Sequence, residues 1–156
     1  MSVHFSSASN EWSTPKEFYD ILNKEFYFNL DLCSTKNNAK CDMFFTIEDD
    51  GLSKSWIGYN VFMNPPYGRD IKYWIEKALN ETLNKEYRTI VVCLIPARTD
   101  TRYWHDYIFN KASQIRFLKG RLKFGDGMNS APFPSAVVVF DSHHIGETKY
   151  STISYK

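Results

Sequence analysis

Four consecutive residues, Asn64, Pro65, Pro66 and Tyr67, are the part of this 156-residue sequence best suited to chemistry. They follow an apolar run over residues 61–63, which is typical of a buried strand. Because the two prolines lack a backbone donor and fix φ, the strand has to end at Asn64. The side chain of Asn64 and the carbonyls of Asn64 and Pro65 therefore stand as acceptors in a rigid turn, with the ring of Tyr67 beside them.

This combination suits chemistry on a planar amino group. An exocyclic amine is a poor nucleophile because its lone pair is delocalised into the ring. Acceptors aimed at its two hydrogens favour a pyramidal nitrogen, and fixed dipoles of this kind cost no reorganisation during the reaction. The ring of Tyr67 can hold a flat substrate in register. The plainer alternative is a Pro-Pro turn followed by a packing tyrosine.

Length and composition predict a single domain over residues 1–156, with a flexible segment over residues 1–10. A hydrophobic content of 43% and an aromatic content of 17% are typical of a folded globule. No apolar run reaches membrane-spanning length and the N-terminus lacks a signal-peptide core, so we expect a cytoplasmic protein with no membrane partner. The three cysteines lack paired metal-ligand spacing, so we expect no metal site.

Acidic residues occur at the ends of two predicted strands that precede the Asn64 turn. A strand over residues 27–32 ends near Asp31, and a strand over residues 43–47 is followed by three acids, residues 48–50. In open α/β sheets, ligands bind beyond the carboxyl ends of the strands. Asp31 is therefore a candidate to meet a zwitterion, and the three acids are candidates for a ribose. The alternatives are a cap at Asp31 and a solvated turn at the three acids.

The order of the remaining elements predicts the fold class. Thr14 as N-cap and Pro15 as first helical residue predict a helix to about residue 25. Further helices are predicted over residues 71–85 and 102–110, and strands over residues 59–63, 89–95, 115–118, 120–125, 135–140 and 149–155. Alternation of helices with continuously apolar strands indicates a three-layer, mainly parallel, Rossmann-like α/β sheet. The late segments are typical of hairpins, so we expect an antiparallel edge.

The distribution of charge is more informative than the net charge of +1. Five basic residues and no acid occur between positions 111 and 123: Lys111, Arg116, Lys119, Arg121 and Lys123. Cations on alternate positions of the predicted strand over residues 120–125 would share one face, with Leu122 and Phe124 packed inward. Such a face predicts phosphate contacts. A merely solvated face is the alternative.

Several pieces of sequence, taken in order, resemble the phage-type DNA N-6-adenine methyltransferases. The resemblance extends over about residues 12–140. Its pieces are residues 12–15 (WSTP), 30–33 (LDLC), 50–52 (DGL) with Trp56, 62–68 (FMNPPYG), 94–101 (LIPARTDT), 119–124 (KGRLKF) and 132–135 (PFPS).

The resemblance implies S-adenosylmethionine as methyl donor and adenine in duplex DNA as acceptor. The catalytic residues would be Asn64, Pro65, Pro66 and Tyr67: the Asn64 side chain and the Pro65 carbonyl hold the amine, and Tyr67 stacks on the flipped base. The implied cofactor contacts are Trp12, Thr14, Pro15, Asp31, Cys33, Ser34, Asp49 and Asp50. The implied DNA contacts are Arg69, Arg98, Lys119, Arg121, Lys123 and Phe124.

The sequence departs from the general methyltransferase pattern at one place, since no Gly-rich loop follows Asp31. Two other functions stay open at this level. A glutamine-amide methyltransferase acting on protein shares the Asn-Pro-Pro-Tyr turn, but it normally has that Gly-rich loop and lacks the basic run. A non-catalytic DNA-binding module could retain the fold, although the intact residues 64–67 argue against it.

Overall fold

The computed structural model describes residues 12–32, 40, 43, 50–125 and 130–155. Within these residues, two helices and six strands form the framework, together with one 3-10 turn and one π-helical segment. The helices are α1 (Lys16–Phe26) and α2 (Ile71–Glu81), the 3-10 turn is Gly51–Ser53 and the π-helical segment is Trp104–Ile108. The strands are β1 (Leu30–Leu32), β2 (Asn60–Met63), β3 (Ile90–Pro96), β4 (Gln114–Leu118), β5 (Ser135–Asp141) and β6 (Lys149–Ile153).

These strands form one sheet in the order β1-β2-β3-β5-β4-β6. The pairs β1–β2, β2–β3 and β4–β6 are parallel, and β5 is antiparallel to both β3 and β4. The expectation of a mostly parallel α/β sheet with an antiparallel part is confirmed. The predicted position of the antiparallel part, at the edge of the sheet, was wrong. The reversed strand β5 lies inside the sheet, and the edge strand β6 is parallel to its neighbour β4.

A hydrophobic core covers each face of the sheet. Alternate residues of β2 separate the two: Phe62 packs with α1, and Met63 packs with α2 and the π-helical segment. The period of two along a strand explains this division. On one side the core includes the fully buried Trp56 and Trp104, and on the other side Phe18 and Leu22 of α1.

Several predicted boundaries differ from those in the structure. Tyr27 is the left-handed C-cap of α1 and 73% exposed, so β1 starts later than predicted. Thr82 ends α2 early, with its hydroxyl donating to the carbonyls of Ala78 and Leu79. The helix predicted over residues 102–110 is replaced around its centre by the π-helical segment.

The strand predicted over residues 120–125 is also wrong. Residues 121–124 have no regular secondary structure, because their backbone bonds to other segments: Gly125 N–H donates to the carbonyl of Ser13, and Ala131 N–H to that of Leu122. The predicted alternation nevertheless holds, since Leu122 and Phe124 are buried and the cations between them are exposed.

Two predictions fall on residues that the structure does not describe. These are the flexible segment over residues 1–10 and the strand over residues 43–47, of which only Met43 is described. Among the described residues, no helix has the length and apolar character that would let it cross a membrane.

The sheet positions the candidate site. Because β1, β2 and β3 are adjacent and parallel, their carboxyl ends meet at one edge, where residues 64–67 follow β2. Ligands of open α/β sheets bind beyond this edge. We refer to it below as the carboxyl edge.

Candidate active site

The side-chain amide of Asn64 lies at the centre of the carboxyl edge. Its Nδ2 donates to the carbonyl of Trp12 at 2.5 Å and to Oγ1 of Thr14 at 3.1 Å. Its Oδ1 accepts a hydrogen bond of 2.7 Å from the hydroxyl of Tyr67. That hydroxyl also lies 3.2 Å from the carbonyl of Leu94 in β3. One amide thus joins the chain before α1, the end of β2 and the middle of β3.

Thr14 does not cap α1, contrary to the sequence prediction. Pro15 occupies the N-cap position with extended backbone angles, and no side chain bonds to the first turn. The hydroxyl of Thr14 instead accepts from Asn64, and Thr14 is only 6% exposed. Its side chain therefore belongs to the candidate site.

Three rings, those of Trp12, Phe124 and Phe133, contact the ring of Tyr67. We call these four residues the aromatic cluster. Trp12 stacks on Tyr67 with ring centroids 6.3 Å apart and an interplanar angle of 25°. Phe133 meets Tyr67 edge-on at 5.6 Å, and Phe124 meets it edge-on at 6.2 Å. The cluster shows that this edge can hold flat rings, in the geometries that aromatic pairs prefer.

Burial also fixes the protonation state of the Tyr67 hydroxyl. Desolvation raises its pKa well above the ordinary value, and the neighbouring Tyr103 raises it further. Tyr67 is therefore a neutral hydrogen-bond donor at all physiological pH values. Pro65 and Pro66 are buried, which fixes the turn that precedes the ring.

Asp31 lies in β1 on the same face of the sheet as Asn64. It pairs with Phe62, two residues before Asn64 in the neighbouring strand. Strand spacing and rise place the two backbone positions about 8 Å apart. The Asp31 side chain is 2% exposed, and its Oδ2 accepts from the backbone N–H of Lys40 at 2.7 Å.

The burial of Asp31 has an electrostatic consequence. Desolvation raises the pKa of its carboxyl to about 7, although the Lys40 N–H bond and the charge of Lys40 oppose the shift. A buried carboxylate gains most from a ligand that brings a positive charge. Asp31 therefore fits the ammonium end of an amino acid.

The remaining predicted cofactor residues are only partly described. Trp12 and Pro15 are both half-buried. Trp12 lies beside Asn64, and Pro15 lies directly before α1. Asp50 is exposed, with a left-handed backbone (φ 49°), and precedes the 3-10 turn, where its carbonyl accepts from Ser53. Cys33, Ser34 and Asp49 lie outside the described residues, so the predictions made for them are unchanged.

The structure brings the predicted DNA residues around this edge in different ways. Lys119, Arg121 and Lys123 are exposed on the segment that carries Phe124. Arg121 also donates to the carbonyl of Ala131 at 3.2 Å, so it supports the fold of that segment. Phe124 is buried in the aromatic cluster and has no surface for direct contact with a duplex in this arrangement.

The two remaining predicted DNA residues follow strand ends. Arg69 is exposed just after the Asn64 turn, and Arg98 follows β3 with its guanidinium 5.6 Å from the ring centroid of Phe133. The basic run of the sequence does not form one face. Arg116 pairs with Glu25 at 2.6 Å, and Lys111 donates to the carbonyl of Asp106.

Sequence reasoning missed three features of this edge. The Leu94 carbonyl is an acceptor for Tyr67, Tyr103 shifts the pKa of Tyr67, and Phe133 belongs to the aromatic cluster. None carries a local signal: the first two depend on the pairing of β2 with β3, and the third depends on the pairing of β3 with β5. Within the described part of the chain, no three His, Cys, Asp or Glu side chains are grouped as metal ligands.

Comparison with known proteins identifies relatives along most of the chain. Residues 2–156 match the family described as DNA N-6-adenine-methyltransferase (Dam). A DNA N-6-adenine-methyltransferase of Haemophilus phage HP1 is 26% identical over 138 residues, which cover 83% of this chain and 78% of that protein.

Two further relatives match shorter parts. A DNA N-6-adenine-methyltransferase of Escherichia phage T1 is 32% identical over 108 residues, covering 67% of this chain and 43% of that protein. The putative methyltransferase YfdM of Escherichia coli K12 is 35% identical over 65 residues, covering 37% of this chain and 71% of that protein.

The raised pKa of Asp31 predicts the pH dependence of stability. The folded state holds this proton up to about pH 7, whereas the unfolded chain releases it near its ordinary value of 3.8. The stabilisation is therefore complete below about pH 4 and is lost as the pH rises through 7, by an amount on the order of 4 kcal/mol. Asp31→Asn should remove this slope from the free energy of unfolding.

Urea denaturation between pH 4 and pH 8 measures the effect, as the difference between wild type and Asp31→Asn. The exposed Asp100 offers a matched control, since Asp100→Asn removes a carboxyl group from the surface and not from the core. Parallel profiles for wild type and Asp31→Asn would show that Asp31 does not titrate in this range.

Proposed function

Since the chain belongs to the DNA N-6-adenine-methyltransferase (Dam) family and is an adenine-specific DNA methyltransferase, we propose that it transfers the methyl group of S-adenosylmethionine to an adenine flipped out of duplex DNA. The observation that carries this proposal is the amide of Asn64, held at the end of β2 beside the ring of Tyr67. In this proposal the sheet is a three-layer, Rossmann-like methyltransferase sheet. The two hydrophobic cores support this, since each of them packs a helix against one face of the sheet.

Asn64 Oδ1 and the Pro65 carbonyl accept the two hydrogens of the exocyclic amine in this proposal. Oδ1 accepts from the Tyr67 hydroxyl in the structure, and in this proposal the amine takes the place of that hydroxyl. The replacement leaves no donor unpaired, because the Tyr67 hydroxyl also lies 3.2 Å from the Leu94 carbonyl. An unsatisfied buried hydroxyl would otherwise cost about 1–3 kcal/mol.

The base itself takes a place against the ring of Tyr67. In the free protein Trp12 stacks on that ring, and Phe124 and Phe133 border it. A flipped base therefore replaces one flat ring by another, which offsets part of the few kcal/mol needed to extrude a base. Trp12 is the ring that the base would replace, since Asn64 holds the carbonyl of Trp12 and not its ring.

The residues around Asp31 fit the methyl donor. The buried carboxylate of Asp31 suits its ammonium group, and the hydroxyl of Thr14 lies nearby on Asn64. S-adenosylmethionine would supply a methyl group on a sulfonium, which an amine can attack directly as the bond from sulfur to methyl breaks and a neutral thioether leaves. Asn64 helps by drawing the amine hydrogens out of the ring plane, so that the nitrogen lone pair is available. The proton that the methylated amine loses can pass to water.

Transfer of a radiolabelled methyl group tests the function. Purified protein is incubated with labelled S-adenosylmethionine and unmodified DNA, and the digested nucleosides are separated. Label should appear in N6-methyladenine. Label in protein glutamine would instead support the amide methyltransferase, and no label in any substrate would support the non-catalytic module.

Substitution of Asn64 tests the acceptor. Asn64→Ala should lower turnover by about 10²–10³-fold, the cost of removing one preorganised group at a developing charge. Asn64→Asp keeps an acceptor for the amine, so it should recover most of the rate that Asn64→Ala loses. It cannot donate to the carbonyl of Trp12. Single-turnover methylation and calorimetric titration of the cofactor separate the two effects. Wild-type turnover by Asn64→Ala would remove Asn64 from the mechanism.

Two substitutions of Tyr67 separate its ring from its hydroxyl. Tyr67→Phe keeps the stacking face and frees Oδ1 of Asn64, so its rate should stay within about tenfold of wild type. Tyr67→Ala loses the stack, which is worth about 1–3 kcal/mol per base. It should weaken binding of DNA with a mispaired target adenine, and weaken cofactor binding less than Asp31→Ala does. The placement of cofactor and base would be wrong if Tyr67→Ala had the larger effect on the cofactor titration.

The exposed cations beside Phe124 predict a salt effect. Lys119→Ala and Lys123→Ala should each lower the slope of log affinity against log salt by about 0.9, as expected for one phosphate contact. Arg121 is less suitable as a test because it also bonds to Ala131. Fluorescence anisotropy with duplex DNA across a salt series gives the slope, and the exposed Lys54 serves as control. Unchanged slopes in both variants would place the duplex elsewhere.

A further inference from the structure

A cleft of about 480 Å³ opens on the other side of the Asn64 turn from the aromatic cluster. One wall is residues 68–73, from the turn and the start of α2; the other is residues 101–107, from the loop after β3 and the π-helical segment. Because β2 and β3 are adjacent parallel strands, both walls stand at the carboxyl edge. Gly68, which directly follows Tyr67, lines the cleft, so the cleft begins where the proposed base site ends.

The side chains that line the cleft are mainly cationic and aromatic. The cations are Arg69, Lys72 and Arg102, against one lining acid, Asp106. The pair Arg102–Asp106 spans 4.0 Å, and the Arg102 side chain is 96% exposed. Such an exposed pair contributes at most about 1 kcal/mol, so Arg102 can exchange Asp106 for another anion at little cost.

Tyrosines contribute flat surface to both walls. Tyr73 stands on α2, is 49% exposed and has Nζ of Lys72 5.2 Å from its ring centroid. Tyr103 and Tyr107 stand on the opposite wall. Glu76, also on α2, accepts a hydrogen bond of 3.1 Å from the Tyr107 hydroxyl, which ties the two walls together and occupies that acid.

We propose that this cleft binds the nucleotide next to the target adenine on the same strand. Arg69, Lys72 and Arg102 contact its phosphates, and its base stacks on Tyr73. Cations that follow a backbone, together with aromatic rings that take bases, are the means by which proteins hold single nucleotides outside a stack. The volume lies within the range of sites for single small ligands, which suits one nucleotide and not a length of duplex.

This inference rests on the proposed function and makes it more specific. A base stacked in the cleft holds the flanking nucleotide in register and gives the enzyme a modest preference at that position, since bases differ in stacking strength. The cleft therefore positions the flanking nucleotide through its base and its phosphates, whereas the exposed cations near Phe124 contact phosphates alone.

Substitution of Tyr73 tests the stacking role. Tyr73→Ala should change or flatten the base preference next to methylated adenines and weaken binding about tenfold, whereas Tyr73→Trp should keep binding close to wild type. Tyr150, 53% exposed on the distant strand β6, gives the matched control Tyr150→Ala, which should change neither. The preference is read by methylation-sensitive sequencing of mixed-sequence DNA treated under single-turnover conditions.

Substitution of the cations tests the phosphate contacts. Lys72→Ala and Arg102→Ala should each lower the salt slope of duplex binding by about 0.9. Lys85, exposed beyond the far end of α2, is the matched control, and Lys85→Ala should keep the wild-type slope. Thermal unfolding of each variant reports any loss of fold.

Failure of the inference and failure of the proposed function give different results. Methylation of adenine by wild type, with unchanged preference in Tyr73→Ala and unchanged slopes in both cation variants, would overturn the cleft as a nucleotide site and leave the function standing. A wild-type protein that methylates no DNA would overturn the proposed function and this inference with it.

Discussion

The side-chain amide of Asn64 is the contact on which the site depends. It donates to the segment before α1 and accepts from Tyr67, so a single group sets the positions of both. One amide can do both, because it donates from its nitrogen and accepts at its oxygen, whereas a carboxylate only accepts. The prolines that follow make the arrangement rigid, since they fix φ and leave the turn few conformations to lose on folding.

The geometry of the sheet explains why Tyr67 can serve as a link. Residues of β2 alternate between the two cores, and the turn after Asn64 carries the chain over the end of the sheet. Tyr67 therefore packs against both cores. Its ring belongs to the aromatic cluster on the face of α1, and the next residue, Gly68, lines the cleft on the face of α2. The proposed base site and the proposed flanking site are thus two sides of one turn.

The sequence was sufficient for features whose causes are local. Two prolines after an apolar run fix the end of β2, and the continuous apolar run of β3 indicates a strand covered on both faces. Features that depend on distant pairing were not predictable. The placement of β5 between β3 and β4 reverses one strand inside the sheet, and no local pattern of residues 135–141 records its neighbours. Thr14 has the sequence of an N-cap, but Asn64, fifty positions away, takes its hydroxyl.

The Asn64 amide and the Asp31 carboxyl can each change state when a ligand binds. In the structure the oxygen of Asn64 accepts from the Tyr67 hydroxyl, and burial raises the pKa of the Asp31 carboxyl to about 7. A ligand can therefore change the partner of the Asn64 oxygen and the charge of Asp31. An amine at Asn64 would displace the Tyr67 hydroxyl, which keeps the Leu94 carbonyl as its partner. An ammonium group beside Asp31 would favour the charged form of that carboxyl. Each ligand would thus select one state of the group that it contacts. In the proposed function, ligand binding then completes the active arrangement through these side chains and through replacement of the Trp12 ring by the base.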